Sequence, residues 1–397
     1  MRLGRRFLIS GVAVLAVSAA LAGARLRAAD VKVPDPTQVV MIVNRDSNDI
    51  AFMDIKTKKM VGKTFLGNNV NPHMVMMSPD GRYVVTGGTR ANKAYIIDAR
   101  TLELVKVIPV DIAPEHLAFS PDSRWYYQGN PDGDSISVID MVSLTKIKTI
   151  PGLVEPLNVT FSSDGSKAYV GNYGAHWVGV IDVRRHELLK KIQIDKVPGI
   201  AKLDPAKYLG ELHGINIAAP SNDGRYLYAA DGTLGVVGVI DTREDKIVKV
   251  IRVGKDPWRI YMNHDGHYAI TPNNGDETIS IIDLKTNKVA ATLEAGPNMT
   301  GVNYAAGKAF VISSTSGFVY VYDMNTLKPA GRIKLGTNIQ LETATTDVAE
   351  QKLYLAVSTT NSVAIIDAKT NAVEMVSNVG LFPWGTHIMD SKDNYCH

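Results

Sequence analysis

Short apolar segments that end in an aspartate recur along the whole chain. They combine large apolar residues with smaller ones, as in "AFMD", "YIID" and "GVID", and this pattern is typical of a β-strand. An aspartate that closes such a strand can accept a hydrogen bond from backbone two residues later and begin a turn. The spacing is about 40–44 residues, with one interval of about 59. The repeated aspartates are Asp54, Asp98, Asp140, Asp182, Asp241, Asp283, Asp323 and Asp367.

Polar turns and further strands fill the rest of each repeat. Segments such as "SPDGRYVV", "SSDGSKAYV" and "SNDGRYLYAA" combine a turn with β-branched and aromatic residues, and "LVKVIPV" or "KIVKVIRV" adds another strand. Four strands in about 43 residues is the period of a β-propeller blade. No long segment has a helical period. The pattern therefore predicts an all-β fold in which four-stranded sheets pack radially.

Eight aspartates predict an eight-bladed β-propeller, with seven blades as the alternative if one unit is irregular. The first strands, in "VVMIVN…IAFMDIK…VGKTFL", lack an inner strand, and the tail "GTHIMDSKDNYCH" supplies one. We therefore expect the two ends of the chain to complete one blade together and close the ring. The predicted domain is a single propeller over 38–397, with an insertion at 195–212 that forms a loop over one mouth.

The first residues have the composition of an export signal. Residues 1–24 combine the basic "MRLGRR", an apolar stretch and the small residues Ala22-Gly23-Ala24, and an N-terminal arm follows at 25–37. This predicts a periplasmic protein with no membrane span after cleavage, and an uncleaved anchor is the alternative. The formal charge of +3 falls to zero without the three arginines of this segment. A neutral protein has no field that attracts nucleic acid.

One position of the repeat is rich in histidine. The first strand of each propeller blade lines the central channel, and the residues just before it lie on one rim. Four of the nine histidines are predicted at this rim: His73, His116, His213 and His387. Imidazoles from separate blades that meet there suit copper, iron or zinc. The alternative is that each histidine caps a strand start by hydrogen bonding.

Other residues near the rim extend this hypothesis. Glu115 and Glu211 are placed to orient two of the histidines. Trp258 and Trp384 either wall a flat apolar ligand or pack between blades. The single cysteine, Cys396, excludes an internal disulfide framework, and its own role, like that of His397, stays open.

The repeat resembles the YVTN family of β-propellers and, more closely, the eight-bladed haem-d1-binding propeller of cytochrome-type nitrite reductases. The stretch 44–88, with "PHMVMMSPDGRYVVTGG", is similar to the blade whose histidine ligates the d1 iron, and His73 takes that place. The stretch 212–241 is similar to the blade with a distal histidine, and His213 takes that place. The tail "PWGTHIMDSKDNY" looks like the family's closing strand. Arg45 matches a basic position that holds the d1 carboxylates, and Arg259 is a second candidate.

Three features depart from that family. The C-x-x-C-H motif of its haem c domain is absent, Asn158 is the nearest residue to the second distal histidine, and Trp258 stands where the family often has histidine. The resemblance therefore does not imply a self-contained nitrite reductase.

Together these observations predict an exported propeller that binds a redox-active metal centre, either a d1-like haem or copper, at its histidine-lined mouth. It would act as an oxidoreductase or as a cofactor carrier or maturation protein, with a periplasmic electron-transfer or maturation partner. The alternative is a non-catalytic interaction propeller of the cell envelope. The predicted metal ligands are His73, His116, His213 and His387, and the predicted cofactor-binding residues are His73, His213, Arg45, Arg259 and Trp258.

Overall fold

The computed structural model describes residues 31–200 and 212–393. The predicted export signal at 1–24, the first part of the arm, residues 201–211 of the insertion, Cys396 and His397 lie outside the described residues. Within the described ranges no helix has the length and apolar character needed to cross a membrane.

The chain forms eight antiparallel sheets of four strands each. The inner strands are β4 (Pro72–Met77), β8 (Leu117–Phe119), β12 (Pro156–Phe161), β16 (Ile215–Pro220), β20 (Tyr261–Met262), β24 (Met299–Ala305), β28 (Leu341–Thr346) and β32 (Pro383–His387). The second strands are β1 (Val39–Asn44), β5 (Tyr83–Gly88), β9 (Trp125–Asn130), β13 (Lys167–Asn172), β17 (Tyr226–Asp231), β21 (Tyr268–Asn273), β25 (Lys308–Ser313) and β29 (Lys352–Val357).

The third strands all end at the repeated aspartates, and the outer strands follow them. The third strands are β2 (Asp49–Asp54), β6 (Lys93–Asp98), β10 (Ser135–Asp140), β14 (Trp177–Asp182), β18 (Val236–Asp241), β22 (Thr278–Asp283), β26 (Phe318–Asp323) and β30 (Ser362–Asp367). The outer strands are β3 (Met60–Phe65), β7 (Leu104–Pro109), β11 (Thr145–Ile150), β15 (Glu187–Gln193), β19 (Lys246–Arg252), β23 (Lys288–Glu294), β27 (Lys328–Lys334) and β31 (Val373–Ser377). Short 3₁₀ helices span Pro36–Gln38, Pro131–Gly133 and Ser358–Thr360.

The prediction of eight blades is confirmed, and the seven-bladed alternative is wrong. Blades one to seven run in order from β4–β7 to β28–β31. Blade eight has the order β3-β2-β1-β32, so its inner strand comes from the other end of the chain. Strand β32 pairs antiparallel with β1, with Met41 opposite His387 and Ile42 opposite Thr386. The predicted closure of the ring by both chain ends is therefore confirmed.

The repeated aspartates act as the sequence analysis expects. Asp54 ends β2, and its Oδ1 accepts hydrogen bonds from the hydroxyl of Thr57 at 2.7 Å and from its backbone N–H at 2.6 Å. These bonds stabilise the carboxylate and hold the pKa of Asp54 below its ordinary value. Asp98, Asp283, Asp323 and Asp367 make the same pair of bonds to the threonine three residues on.

The hydrophobic core lies between neighbouring blades. Met41 and Phe52 of blade eight pack in one cluster with Val75 and Ile97 of blade one. Second and third strands are almost wholly buried, whereas an outer strand such as β7 is largely exposed. Because each sheet buries its faces only against the next one, the ring is the unit that folds.

The end of the described chain closes the far end of the channel. Asp393 is completely buried, and its Oδ2 accepts hydrogen bonds from the backbone N–H of Tyr304 at 2.7 Å and the hydroxyl of Thr346 at 2.8 Å. Its Oδ1 lies 2.7 Å from Nε2 of His264, whose pKa is raised because the attraction of Asp393 and Glu350 outweighs burial. One carboxylate thereby connects the tail to blades five, six and seven.

Because His387 is buried, we expect the protein to lose folding stability at acidic pH. Burial lowers the pKa of His387 to about 3, and its Nε2 accepts a hydrogen bond from the backbone N–H of Met77 at 3.3 Å. Between this pKa and the ordinary value of 6.5, the unfolded state binds a proton that the folded state does not. Stability therefore falls as the pH drops below 6.5, by roughly 2 kcal/mol at pH 5 from this group.

Urea unfolding at pH 7.5 and at pH 5 measures this effect. We expect His387→Gln to reduce the difference in unfolding free energy between the two pH values by about 2 kcal/mol. His267→Gln is the control, because the side chain of His267 is 77% exposed. An unchanged pH dependence in His387→Gln would contradict the assignment of a neutral buried imidazole.

Candidate functional site

The inner strands share a common start at one end of the channel. Pro72, the first residue of β4, pairs with Gly88, the last residue of β5, and Pro156 pairs in the same way with Asn172. Pro257 bridges Asn273, the last residue of β21. Proline suits a strand start because no ladder hydrogen bond needs its missing N–H.

The residue after each of these starts faces a cavity at the mouth of the channel, which we call the mouth cavity. Its volume is about 660 Å³. Six blades contribute residues to its wall: blades one to five and blade eight. The wall includes His73, Glu115, His116, Asn216, Trp258 and Trp384. Loops at 131–132, 154–155 and 173–174 complete much of the rest.

His73 and His116 meet in this cavity with Glu115. The two imidazole rings are 5.8 Å apart between centroids, and Nδ1 of His73 lies 4.0 Å from Oε1 of Glu115. One ligand atom from each of the three residues falls within 4.8 Å of the others. His73 and His116 are buried, with exposed fractions of 7% and 1%. The predicted convergence of imidazoles from separate blades therefore holds for these two histidines.

Two tryptophans supply the aromatic part of the wall. The indole of Trp384 lies edge-on to His73 at 5.7 Å between centroids, and its Nε1 donates a hydrogen bond to Nε2 of His73 at 3.4 Å. Trp258 also lines the cavity and contacts Tyr173 edge-on at 5.8 Å. Both indoles thus lie where the sequence analysis expected a wall for a flat ligand.

Glu115 has an environment that favours its protonated form. Burial disfavours the carboxylate and raises the pKa of Glu115 to about 7, and Asp132 acts in the same direction. The positive charges of Arg45 and Arg259 oppose this shift.

The two predicted basic residues lie behind the wall and not in it. The guanidinium of Arg45 lies over the indole of Trp384 at 4.1 Å, and its Nη2 donates to Oδ1 of Asn71 at 2.8 Å. Burial lowers the pKa of Arg45. Arg259 is completely buried, and its guanidinium lies 5.6 Å from the ring of Trp258. Among the described residues, the cavity wall contains no lysine or arginine.

His213 lies beside the cavity rather than in its wall. Its Nδ1 is 2.9 Å from Oδ1 of Asp256, and its ring stacks on Tyr173 at 5.5 Å. Tyr173, in turn, lines the cavity. His213 precedes the inner strand β16, which begins at Ile215, as expected, but it does not line the mouth cavity.

His387 is at the wrong end of its strand for the predicted position. The sequence analysis placed it where the inner strand of blade eight begins, but β32 begins at Pro383 and ends at His387. Trp384 therefore occupies the place at the mouth. His387 does not line the mouth cavity, and its hydrogen bond to Met77 lies within the packed inner strands.

Asn216 is the residue that the sequence analysis missed. Ile215 pairs with Asp231, the last residue of β17, as Pro72 pairs with Gly88, so Asn216 is the counterpart of His73 in blade four. It is 1% exposed, and neither its amide nitrogen nor its amide oxygen has a hydrogen-bond partner within residues 31–200 and 212–393. A buried, unpaired carboxamide in a cavity wall is costly unless a ligand satisfies it. The signal in the sequence was its position directly after the strand start.

The comparisons with known proteins agree with the sequence resemblance. A family model described as Cytochrome D1 heme domain matches residues 11–117. A search among curated proteins found no match. The chain is similar to a solved structure described as dihydro-heme d1 dehydrogenase NirN in complex with DHE, at 18% identity and a TM-score of 0.74, over 90% of this chain and 76% of that one. The predicted resemblance to haem-d1 propellers is thereby confirmed.

Two further solved structures share the fold. Hydrazine synthase of Kuenenia stuttgartiensis is 21% identical with a TM-score of 0.56, over 79% of this chain and 97% of that one. A functionally unknown protein of Desulfotomaculum acetoxidans is 13% identical with a TM-score of 0.56, over 88% of this chain and 98% of that one. At these identities the likeness to solved structures concerns the fold alone.

The unpaired amide of Asn216 leads to a prediction about the stability of the ligand-free protein. Asn216→Leu replaces an unpaired buried amide with an apolar side chain of the same number of heavy atoms, and the adjoining cavity has room for the added methyl hydrogens. We therefore expect it to stabilise the ligand-free protein by about 1–2 kcal/mol. The matched control is Asn303→Leu, because Asn303 is also 1% exposed but its Nδ2 donates to the carbonyl of Ala344 at 3.1 Å. This control should destabilise the protein in the same urea titration. Equal destabilisation by both substitutions would show that the Asn216 amide has a structural partner.

Proposed function

We propose that this protein binds a haem-d1-like tetrapyrrole in the mouth cavity, where His73 would hold its iron. The observation that carries the proposal is the buried imidazole of His73 in a cavity of about 660 Å³ that Trp258 and Trp384 also line. The match to the Cytochrome D1 heme domain family and the likeness to a haem d1 dehydrogenase support the same class of ligand.

The residues present fit such a group. The volume is in the usual range for cofactor pockets, and indole faces suit a flat apolar macrocycle. Asn216 offers both a donor and an acceptor to polar substituents of the ring. Arg45, half-buried against the indole of Trp384, is a candidate cation for an anionic substituent at the cavity edge. The comparisons give no support to the copper alternative.

The surrounding side chains would prepare His73 as a ligand. Nε2 of His73 now accepts the hydrogen bond from Trp384, and iron would replace that donor on Nε2. The ring proton would then lie on Nδ1, the nitrogen that faces Glu115. A carboxylate on that side orients an imidazole and increases its basicity. Once bound, the iron of the tetrapyrrole would supply ligand exchange and one-electron chemistry. The aromatic wall would exclude water from one side of the ring.

The cellular role that we propose is that of an exported cofactor carrier, maturation protein or oxidoreductase. Residues 1–24 support export to the periplasm. The chain holds a single cysteine and so cannot attach haem c through C-x-x-C-H. In this proposal, electrons would pass to or from a separate periplasmic protein, which would be the electron-transfer or maturation partner.

Titration of the purified protein with tetrapyrroles tests this function. We expect haem d1 to bind one per chain with a shift of its absorption bands, and iron protoporphyrin IX to bind more weakly. His73→Ala should weaken haem d1 binding at least about tenfold, because the iron loses its nitrogen ligand. His267→Gln, which changes an exposed histidine away from the mouth cavity, is the control.

The absorption spectrum separates this proposal from the alternative of an interaction propeller. A spectrum that does not change on addition of haem d1 would reject tetrapyrrole binding. Binding that is equally tight in His73→Ala and in the wild type would reject His73 as the iron ligand.

A further inference from the structure

We infer that His73, Glu115 and His116 also form a binding site for a divalent transition-metal ion that requires no macrocycle. The site shares the mouth cavity with the proposed tetrapyrrole but does not depend on that proposal. It differs from the predicted set of four histidines, because Glu115 is a direct ligand and His213 and His387 are not.

The spacing of the three side chains is close to that of a coordinated set. Metal–ligand bonds to imidazole nitrogen and carboxylate oxygen are about 2.0–2.2 Å long, so two ligands on opposite sides of one ion are about 4.2 Å apart. The three ligand atoms lie within 4.8 Å of one another, and the His73–Glu115 pair is already at 4.0 Å. Three ligands spaced equally around one ion are about 3.6 Å apart, so inward movements of up to about 0.7 Å per side chain would bring all three to it. His73 would bind this ion through Nδ1, with its ring proton on Nε2.

The backbone holds two of the ligands in place. The N–H of Glu115 donates to the carbonyl of Gly129 at 3.1 Å, and the N–H of Gly129 donates to the carbonyl of His116 at 2.7 Å. Nε2 of Gln128 donates to the same His116 carbonyl at 2.9 Å. A site built on paired strand backbone is more precisely positioned than one on a free loop.

The ligand types indicate which ions would bind. Two imidazoles and one carboxylate suit Fe²⁺, Co²⁺, Ni²⁺ or Zn²⁺ and not Ca²⁺ or Mg²⁺, which prefer oxygen ligands. Three protein ligands leave at least one coordination position open. That position would face the mouth cavity, so water or a small substrate could occupy it.

Charges near the site set its strength. Glu115 and the nearby Asp132 attract a cation, whereas Arg45 and Arg259 reduce the negative potential at Glu115. We therefore expect weaker binding than at a closed structural site.

Titration with Co²⁺ is the experiment, because the visible absorption of Co²⁺ reports nitrogen and oxygen ligands directly. The protein is purified without tetrapyrrole and dialysed against a chelator, and the chelator is then removed. We expect one Co²⁺ per chain and competition by Zn²⁺. Glu115→Gln and His116→Ala should each weaken binding at least about tenfold, since each removes one of three ligands. Glu187→Gln, on the exposed outer strand β15, and His267→Gln are the matched controls.

The outcomes separate this inference from the tetrapyrrole proposal. No stoichiometric Co²⁺, or equal affinity in Glu115→Gln and its control, overturns the metal site and leaves haem binding untouched. Co²⁺ binding together with no response to haem d1 supports the metal site and rejects the proposed function. Circular dichroism shows whether each variant is folded. If His116→Ala does not fold, the affinity of the nearly isosteric Glu115→Gln for Co²⁺ alone tests the metal site.

Discussion

The structure depends on one constraint: a four-stranded blade cannot bury both of its faces alone. Each sheet packs against two neighbours, and the ring has no free face only when the last blade meets the first. The antiparallel pairing of β32 with β1 completes that blade from the two chain ends. The same closure brings the starts of eight inner strands to one opening. Side chains from positions as distant as His73 and Trp384 meet there because the ring is closed, and no local sequence feature would bring them together.

The repeat could be predicted from sequence because its signals are local. Each aspartate ends a third strand and bonds its own turn, so counting aspartates gives the number of blades. The mouth was harder to predict, because the position of a residue on an inner strand depends on pairing register. His73 follows the start of β4 and His116 directly precedes β8, so both could be placed at the mouth. In blade four the insertion before β16 obscured the start, and His213 was chosen although Asn216 has the equivalent pairing. In blade eight, Pro383 marks the start as Pro72 does, and following proline rather than histidine would have selected Trp384.

The charges around the mouth cavity explain why its polar groups are tolerated. Glu115 would be costly as an isolated buried carboxylate, but Arg45 and Arg259 lie close enough to offset part of that cost from behind the wall. Each cation also lies against an indole, at 4.1 Å for Arg45 and 5.6 Å for Arg259. The two arginines thereby stabilise the indoles of the cavity wall as well as the carboxylate of Glu115. Asn216 has no such compensation among the described residues, which is the pattern expected where stability is sacrificed for binding.

The two ends of the channel are built differently, and the difference bears on how a ligand enters. At the far end, Asp393 is fully buried and accepts hydrogen bonds from groups in two blades while it pairs with His264 of a third. A passage there would require breaking a network of charged hydrogen bonds, each stronger than a neutral one. At the near end, the described residues leave a cavity of about 660 Å³ that is lined by indole, imidazole, carboxylate and carboxamide groups. The cavity thus places His73, Glu115 and His116 at the end of the channel where a macrocycle or a metal ion would bind.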